Sequence, residues 1–370
     1  MYLKDFVDIK MGQSPDSKFY NYDEKGLPFY QGKADFGRIN PTPKIWCSKP
    51  KKEAKPNDIL ISVRAPVGDL NINNGQSCIG RGLAAITCRP DVDMMYVYYY
   101  LKYLKPQLKH ISTGSTFESI NRTQLENLII DYKPYSEQIK ISNILQVLER
   151  QIEVKENLLR LYDLLIKSRF DEFNKTNTHV KKLKLEDVCS SIVRGPFGSA
   201  LKVENFVKKS DSSVKVYEQS NAIQKSASIG CRYISKDHYE SLKRFRCMPG
   251  DIIMSCSGTI GKLFILPSNA EMGIINQALC KFTLDKYLLP EVFLLYMEVL
   301  INNIETKGSG IKNISAVKFI KSLEIPVPSI ELQKKLLIEL DQINKLKSDV
   351  QKSIDETQLL MDSLMQEYFG

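Results

Sequence analysis

The chain has 370 residues, 43% of them hydrophobic and 26% charged, the composition of an ordinary globular protein with core enough for two or three domains. Its 52 lysines and arginines against 43 aspartates and glutamates leave a net charge of +9, which suits a polyanionic partner. Residues 1–10 lack the apolar centre of a signal peptide, the most apolar run (94–104) is interrupted by Lys102, and the eight cysteines form no C-x-x-C pair. The expectation is therefore a cytoplasmic protein with reduced thiols, no membrane span and no zinc ribbon or finger.

Residues 1–135 are punctuated by turn signals: Gly12-Gln13-Ser14-Pro15, Gly26-Leu27-Pro28, Asn40-Pro41-Thr42-Pro43 and Asn73-Asn74-Gly75. Between them, 58–63 and 83–87 read as strands, 94–108 as a tyrosine-rich helix, and 125–132 as one more strand before Pro134. This is an α+β pattern. The tyrosines from Tyr96 to Tyr103 recur at helical spacing, which predicts core packing rather than a base-stacking platform.

Residues 137–173 contain neither Gly nor Pro. Apolar side chains recur at steps of four and three, at Ile141, Leu145, Leu148, Ile152, Leu159, Tyr162, Ile166 and Phe173, with Lys155 and Arg169 at the two skipped positions. That is the seam of a coiled coil, on a helix roughly 50 Å long. Adding 195 to each position gives a second seam: Leu336, Leu340, Ile343, Lys347, Val350, Ile354, Thr357, Met361, Leu364 and Tyr368. The register holds without a gap, and the polar interruptions never fall at equivalent positions.

The segment before the second seam repeats the first segment's layout. Leu3-Lys4-Asp5-Phe6 matches Leu185-Glu186-Asp187-Val188, residues 55–62 match 248–255, Gly68 matches Gly261, and Ile79-Gly80-Arg81-Gly82-Leu83 matches Ile275-Asn276-Gln277-Ala278-Leu279. Gly114-Ser115 and Ile120 match Gly308-Ser309 and Ile314. The expected domains are a globular unit at 1–135, a long helix at 136–178, a second globular unit at 179–329 and a second long helix at 330–370. Two such copies about a pseudo-two-fold axis would set the helices antiparallel, with the globular units at opposite ends.

The chain is thereby identified as resembling the DNA specificity subunit of type I restriction-modification systems. The residues that carry the resemblance are the Ser136-Glu137-Gln138 and Glu331-Leu332-Gln333 entries to the long helices and the Gly-Ser-x-x-x-x-Ile segments at 114–120 and 308–314. The Pro-x-Asp-Ile turns at 56–59 and 249–252, Gly195-Pro196-Phe197-Gly198-Ser199 and Tyr217-Glu218-Gln219-Ser220-Asn221 add to it, while Gly12-Gln13-Ser14-Pro15 and Tyr30-Gln31-Gly32 depart somewhat in the first half. The resemblance implies a non-catalytic recognition subunit. One target-recognition domain would read each half of a split double-stranded DNA sequence, and the paired helices would set the unread spacer. It also implies two docked modification subunits that methylate adenine N6 with S-adenosylmethionine, and restriction subunits that use ATP and Mg²⁺. This chain itself would bind no cofactor and no metal.

The residues agree on catalysis. No phosphate-binding loop is present; Gly258-Thr259-Ile260-Gly261-Lys262 comes closest but lacks the first glycine at the required spacing. There is no Asn-Pro-Pro-Tyr or Asp-Pro-Pro-Tyr segment. Glu153-Val154-Lys155 lies on the seam, and His110, His179 and His238 show no ligand spacing. Polar side chains that could read base edges or phosphates are Gln13, Ser14, Gln31, Lys33, Arg38, Lys44, Arg64, Arg81, Thr116 and Arg122 in the first half. In the second half they are Arg194, Ser199, Gln219, Asn221, Gln224, Lys225, Lys262, Gln277, Lys312 and Asn313. A coiled-coil scaffold that organises partner subunits without reading DNA is the alternative.

Overall fold

Apolar runs of three to six residues bounded by Gly, Pro and Asn make the strands of this protein, and two long glycine-free runs make its helices. The structure is a computed structural model that describes residues 1–112, 118–177, 180–306 and 317–370, with backbone only at 198, 199, 305 and 306. The chain divides into two compact units, one of Met1–Leu159 with Asp349–Gly370 and one of Arg160–Ser348.

The first unit contains β1 (Val7–Met11), β2 (Tyr20–Asn21), β3 (Leu27–Tyr30), β4 (Trp46–Cys47), β5 (Glu53–Ala54), β6 (Ile59–Ser62), β7 (Leu70–Ile72), β8 (Ser77–Ile79) and β9 (Leu83–Cys88). Helices α1 (Met94–Tyr103), α2 (Lys105–Ile111) and α3 (Arg122–Glu126) follow, then α4 (Tyr135–Thr176). One sheet has the order β1-β9-β6-β7 and is antiparallel throughout; the other has the order β2-β4-β3-β8-β5 and includes a parallel β3–β8 pair. Strand β6 is buried on both faces, which is why it reads as an unbroken apolar run.

The second unit repeats this plan with β10 (Lys182–Lys184), α5 (Leu185–Val188), β11 (Cys189–Arg194), β12 (Ser213–Tyr217), α6 (Gln219–Ile223) and β13 (Tyr233–Ser235). There follow α7 (Lys236–Ser241), β14 (Arg246–Cys247), β15 (Ile252–Ser255), β16 (Leu263–Ile265), β17 (Gly273–Ile275) and β18 (Leu279–Leu284). Helix α8 (Pro290–Thr306), α9 (Val317–Ser322), β19 (Glu324–Pro326) and α10 (Ile330–Phe369) complete the chain. Its sheets run β11-β18-β15-β16 and β13-β12-β17-β14, again with one parallel pair, β12–β17.

Hydrogen bonds recur as closely as the strand order does. Thr87 and Thr283 hydroxyls donate to Asp58 and Asp251 Oδ1, both at 2.6 Å. Ser62 Oγ donates to Pro66 O and accepts from Asp69 N–H, as Ser255 Oγ donates to Thr259 O and accepts from Lys262 N–H. The glutamines of the Ser-Glu-Gln and Glu-Leu-Gln entries have equivalent tasks. Gln138 accepts from Asp93 N–H at the start of α1 and donates to Lys133 O; Gln333 accepts from Leu289 N–H just before α8 and donates to Tyr287 O and Pro328 O. Both side chains are buried and anchor the long helices to the starts of α1 and α8.

Each long helix contributes to both units. In the first, Ile141, Leu145, Leu148 and Ile152 share a core with Met361, Met365 and Phe369 from the C-terminal end, and Ile354 and Leu364 pack against it. Rings of Tyr96, Tyr100 and Tyr103 surround Phe369 at 5.5, 4.9 and 5.9 Å. In the second unit, Phe170, Leu336, Leu340 and Ile343 share a core, Ile166 packs against it, and Phe170 meets the Tyr296 ring at 4.9 Å. Leu159 and Val350 are half-buried. Lys155 donates to Thr357 Oγ1 at 2.7 Å and to Ser353 O at 3.1 Å, and Lys347 pairs with Asp163.

Three expectations are corrected. The helix expected over 94–108 is two helices broken at Leu104, with Pro106 in the first turn of α2, where its missing N–H is harmless. The strand expected over 125–132 begins as α3, whose start is held by a capping box between Asn121 and Gln124; Ile129 makes only an isolated bridge to Tyr2. Arg169 faces solvent and pairs with Glu172, while Phe170 turns inward; the equivalent residue 195 positions on is the buried Met365.

Candidate nucleic-acid interface

In each unit four loops meet where strands of the two sheets end. The first unit brings together 12–14 after β1, 30–33 after β3, 63–67 after β6 and 80–82 before β9. Gly12 N–H donates to Leu83 O, Gln13 N–H to Ile79 O, Gly80 N–H to Tyr30 O and Val63 N–H to Gly82 O, at 2.8–3.0 Å. The approach is close enough to exclude a side chain at two positions. A Cβ on Gly12 would lie 2.2 Å from Gly80 O, and one on Gly82 would lie 2.3 Å from Gln31 O. Ser14 Oγ accepts from Arg81 N–H at 3.2 Å. Exposed above this junction are Gln13, Gln31, Arg64 and Arg81.

The second unit builds the same junction. Gly195 N–H donates to Leu279 O, Asn276 N–H to Tyr217 O and Cys256 N–H to Ala278 O, at 2.7–3.0 Å, and a Cβ on Gly195 would fall 1.9 Å from Asn276 O. Arg194 Nε donates to Gln277 O at 3.3 Å, and the guanidinium lies over the ring of Phe197, 5.0 Å from its centroid. Phe197 is 67% exposed. Gln219 faces this junction beside Gly258, and its side-chain oxygen is buried without a hydrogen-bond partner among the described residues. Burial raises the pKa of Tyr217, whose hydroxyl donates to Glu271 O at 2.6 Å. Burial, with Asp35 nearby, likewise raises that of Tyr30. Both phenols stay neutral at physiological pH.

The structure divides the polar candidates by what already holds them. Lys33 pairs with Asp69 at 3.0 Å, Arg38 with Glu156 and Arg122 with Glu126 at 2.6 Å, while Lys44 donates to Ala34 O at 2.8 Å. Asp69 also takes Lys105 at 2.6 Å. Burial works against its charge, but hydrogen bonds from Lys105 and Lys33 outweigh that and hold the carboxyl below its ordinary value. Asn221 is a correction: it is fully buried, and its amide donates to Ser226 O and Ile229 O and accepts from Glu218 N–H, so it shapes its own loop. Ser14 is half-buried and engaged by Arg81. Gln224, Lys225 and Lys262 are exposed. Thr116, Lys312, Asn313 and both Gly-Ser pairs (114–115 and 308–309) lie outside the described residues, as do His179 and the side chain of Ser199.

The sequence reading did not single out Phe197 or its stacking on Arg194 as a surface feature. The Gly-Pro-Phe-Gly run was the available signal, an aromatic held in a turn too constrained to bury it. Among the described residues no cluster of three His, Cys, Asp or Glu side chains could hold a metal. Likewise, no helix there is long and apolar enough to cross a membrane.

The family profile described as type I restriction modification DNA specificity domain matches residues 1–160 and 177–357. The chain belongs to that family. Two specificity subunits of Methanocaldococcus jannaschii type I restriction enzymes are similar. MjaX is 46% identical over 151 residues, 40% of this chain and 36% of its own, and MjaIX is 28% identical over 165 residues, 42% of this chain and 38% of its own. The matches thus span a little over a third of each relative. Among solved structures, an HsdS subunit from Thermoanaerobacter tengcongensis is 47% identical over 41% of this chain and 37% of that one, with a TM-score of 0.38. The S subunit from M. genitalium covers 100% of this chain and 95% of its own at TM-score 0.55 and 15% identity, a likeness of fold.

Proposed function

We propose that this chain is the DNA-recognition subunit of a type I restriction-modification assembly. Residues 1–135 and 179–329 act as target-recognition domains, each reading one half of a split duplex sequence. The segments 136–178 and 330–370 act as antiparallel spacer helices that set the unread distance, with half-sites about one helical turn (~34 Å) apart. The observation that supports this best is the loop junction built twice on one hydrogen-bonded backbone plan, with different exposed side chains over it. A reader of two unlike half-sites needs one scaffold and two surfaces.

On this reading the chain performs no catalysis. Two modification subunits dock along the long helices and methylate adenine N6 with S-adenosylmethionine; restriction subunits join through them and consume ATP with Mg²⁺. The assembly works in the cytoplasm. The test is a genome-wide map of N6-methyladenine in cells carrying the gene, lacking it, or carrying a version with one heptad inserted in both long helices. A bipartite methylated motif should vanish on deletion. It should keep both halves but gain a longer spacer on insertion. A methylation map indifferent to deletion favours the scaffold alternative, and altered half-site bases on insertion defeat the spacer role.

A further inference from the structure

Arg81 and Gln277 occupy one position of the repeated junction, and the backbone beneath them is held from both sides. The residue before each donates its N–H to the carbonyl of Tyr30 or Tyr217, and the carbonyl of the residue after each accepts from Val63 or Cys256 N–H. The peptide of each is itself anchored, Arg81 N–H on Ser14 Oγ and Gln277 O under Arg194 Nε. Neither backbone can withdraw, because Gly12 and Gly195 already press against the carbonyls of Gly80 and Asn276. The two side chains are therefore launched from equivalent, fixed points. Both are exposed, and among the described residues neither the Arg81 guanidinium nor the Gln277 amide makes a hydrogen bond within the chain. Of the other basic candidates of the first unit, Lys33 and Arg38 are tied to Asp69 and Glu156, while Arg64 is exposed at the same junction but has no counterpart among the second-unit candidates.

We infer that Arg81 and Gln277 are specificity-determining side chains that read base edges at matching places in the two half-sites, Arg81 a G·C pair and Gln277 an A·T pair. The inference rests on the DNA-reading function proposed above. The fork of a guanidinium presents two parallel N–H donors, matched in the major groove by guanine O6 and N7. The amide of glutamine presents one donor and one acceptor, matched by adenine N7 and the N6 amino group. A pair of this kind discriminates against a wrong base by about tenfold to a hundredfold. An amide side chain on the same anchored backbone in place of arginine changes the base that is read and leaves the docking of the unit on the duplex intact.

The experiment replaces the chromosomal gene by Arg81→Gln or Gln277→Arg and maps N6-methyladenine in each strain. R81Q should shift one position of one half-site from G·C toward A·T by about tenfold or more, with the other half-site unchanged. Q277R should make the reverse shift in the other half-site only. Motifs unchanged by both substitutions, a shift in both halves from one substitution, or a partial fall in methylation that is uniform over all sites with the motif kept would overturn the inference. If methylation is lost altogether in R81Q, binding of the folded full-length variant in its complex to duplexes carrying each of the four base pairs at that position decides the matter. Preference for A·T supports base reading, and equal loss for all four overturns it. Failure of the underlying function is separately visible, since then the wild-type strain and the deletion strain carry the same methylation.

Discussion

At the end of the first strand of each sheet pair, Gly12 and Gly195 set an N–H against the carbonyls of Leu83 and Leu279, yet different side chains stand above them: Gln13, Gln31 and Arg81 in one unit, Phe197, Gln219 and Gln277 in the other. The flanks differ as well. Asp69, which binds Lys33 and Lys105 in the first unit, is replaced by Lys262 at the equivalent turn of the second, where Ile301 touches Gly261 in place of the Lys105 contact with Gly68. The long helices are used unequally too. Phe369 at the C-terminal end is enclosed by three tyrosines of the first unit, whereas the second relies on Phe170 against Tyr296. What was kept in both copies is the backbone hydrogen-bond plan; what diverged is whatever reaches solvent or fills a packing gap.

The largest effect should come from the aromatic that closes each unit. Phe369→Ala removes a buried ring and should destabilise the first unit by about 3–5 kcal/mol, and Phe170→Ala should do the same to the second. Trp46, the only tryptophan, lies in the first unit, so its fluorescence in urea reports Phe369→Ala, while hydrogen exchange of β15 and β18 reports Phe170→Ala. Equal losses in both units from either substitution would mean that they do not unfold as separate bodies.

A middle effect is expected at the junction glycines. Gly12→Ala and Gly195→Ala each force a methyl group onto a backbone carbonyl, and should lower stability by about 1–3 kcal/mol while loosening hydrogen exchange at Gly80 and Asn276. An unchanged urea midpoint in either variant would show that the loops are not locked together there.

The smallest effect should be the response to acid. The Asp69 carboxyl is held below its ordinary value, so its stabilisation is complete above the unfolded carboxylate pKa of about 3.9 and is lost as pH falls through the lower folded value. Below about pH 4 the first unit should lose something under about 1 kcal/mol through this site. Asp69→Asn should remove that slope in the Trp46 urea midpoint, and a slope that survives the substitution would place its source elsewhere. The second unit, with Lys262 at that turn, has no counterpart.

Much of this was open to reading in the primary sequence. The inner strands β6, β9 and β15 open with short unbroken apolar runs because both of their faces are covered, and the long helices carry three- and four-residue apolar steps without a breaker. The second copy made both visible, since residues that cannot change without breaking a core or a turn recur at nearly constant offset. The glutamines of the helix entries were legible as a motif, but not as the buried links to Asp93 and Leu289 that the structure assigns them.

Tertiary structure alone decided the rest. Periodicity put Arg169 in the seam, but one residue of rotation brings Phe170 to Tyr296, because a ring gains more from burial than a guanidinium can without an internal acid. The capping box at Asn121 turned a strand-like run into a short helix. The candidate list mixed Arg81 with Arg38 and Asn221 with Gln277, since composition cannot tell a side chain that faces solvent from one already bound. That distinction depends on which acid, carbonyl or loop lies opposite, set by contacts between residues far apart in the chain. The sequence by itself determined the duplication, the long helices, the inner strands and the residue types available to each loop. Only the folded backbone decided that loops 12–14, 30–33 and 80–82, and their second-copy counterparts, meet at one place, because hydrogen bonds between distant strands bring them there.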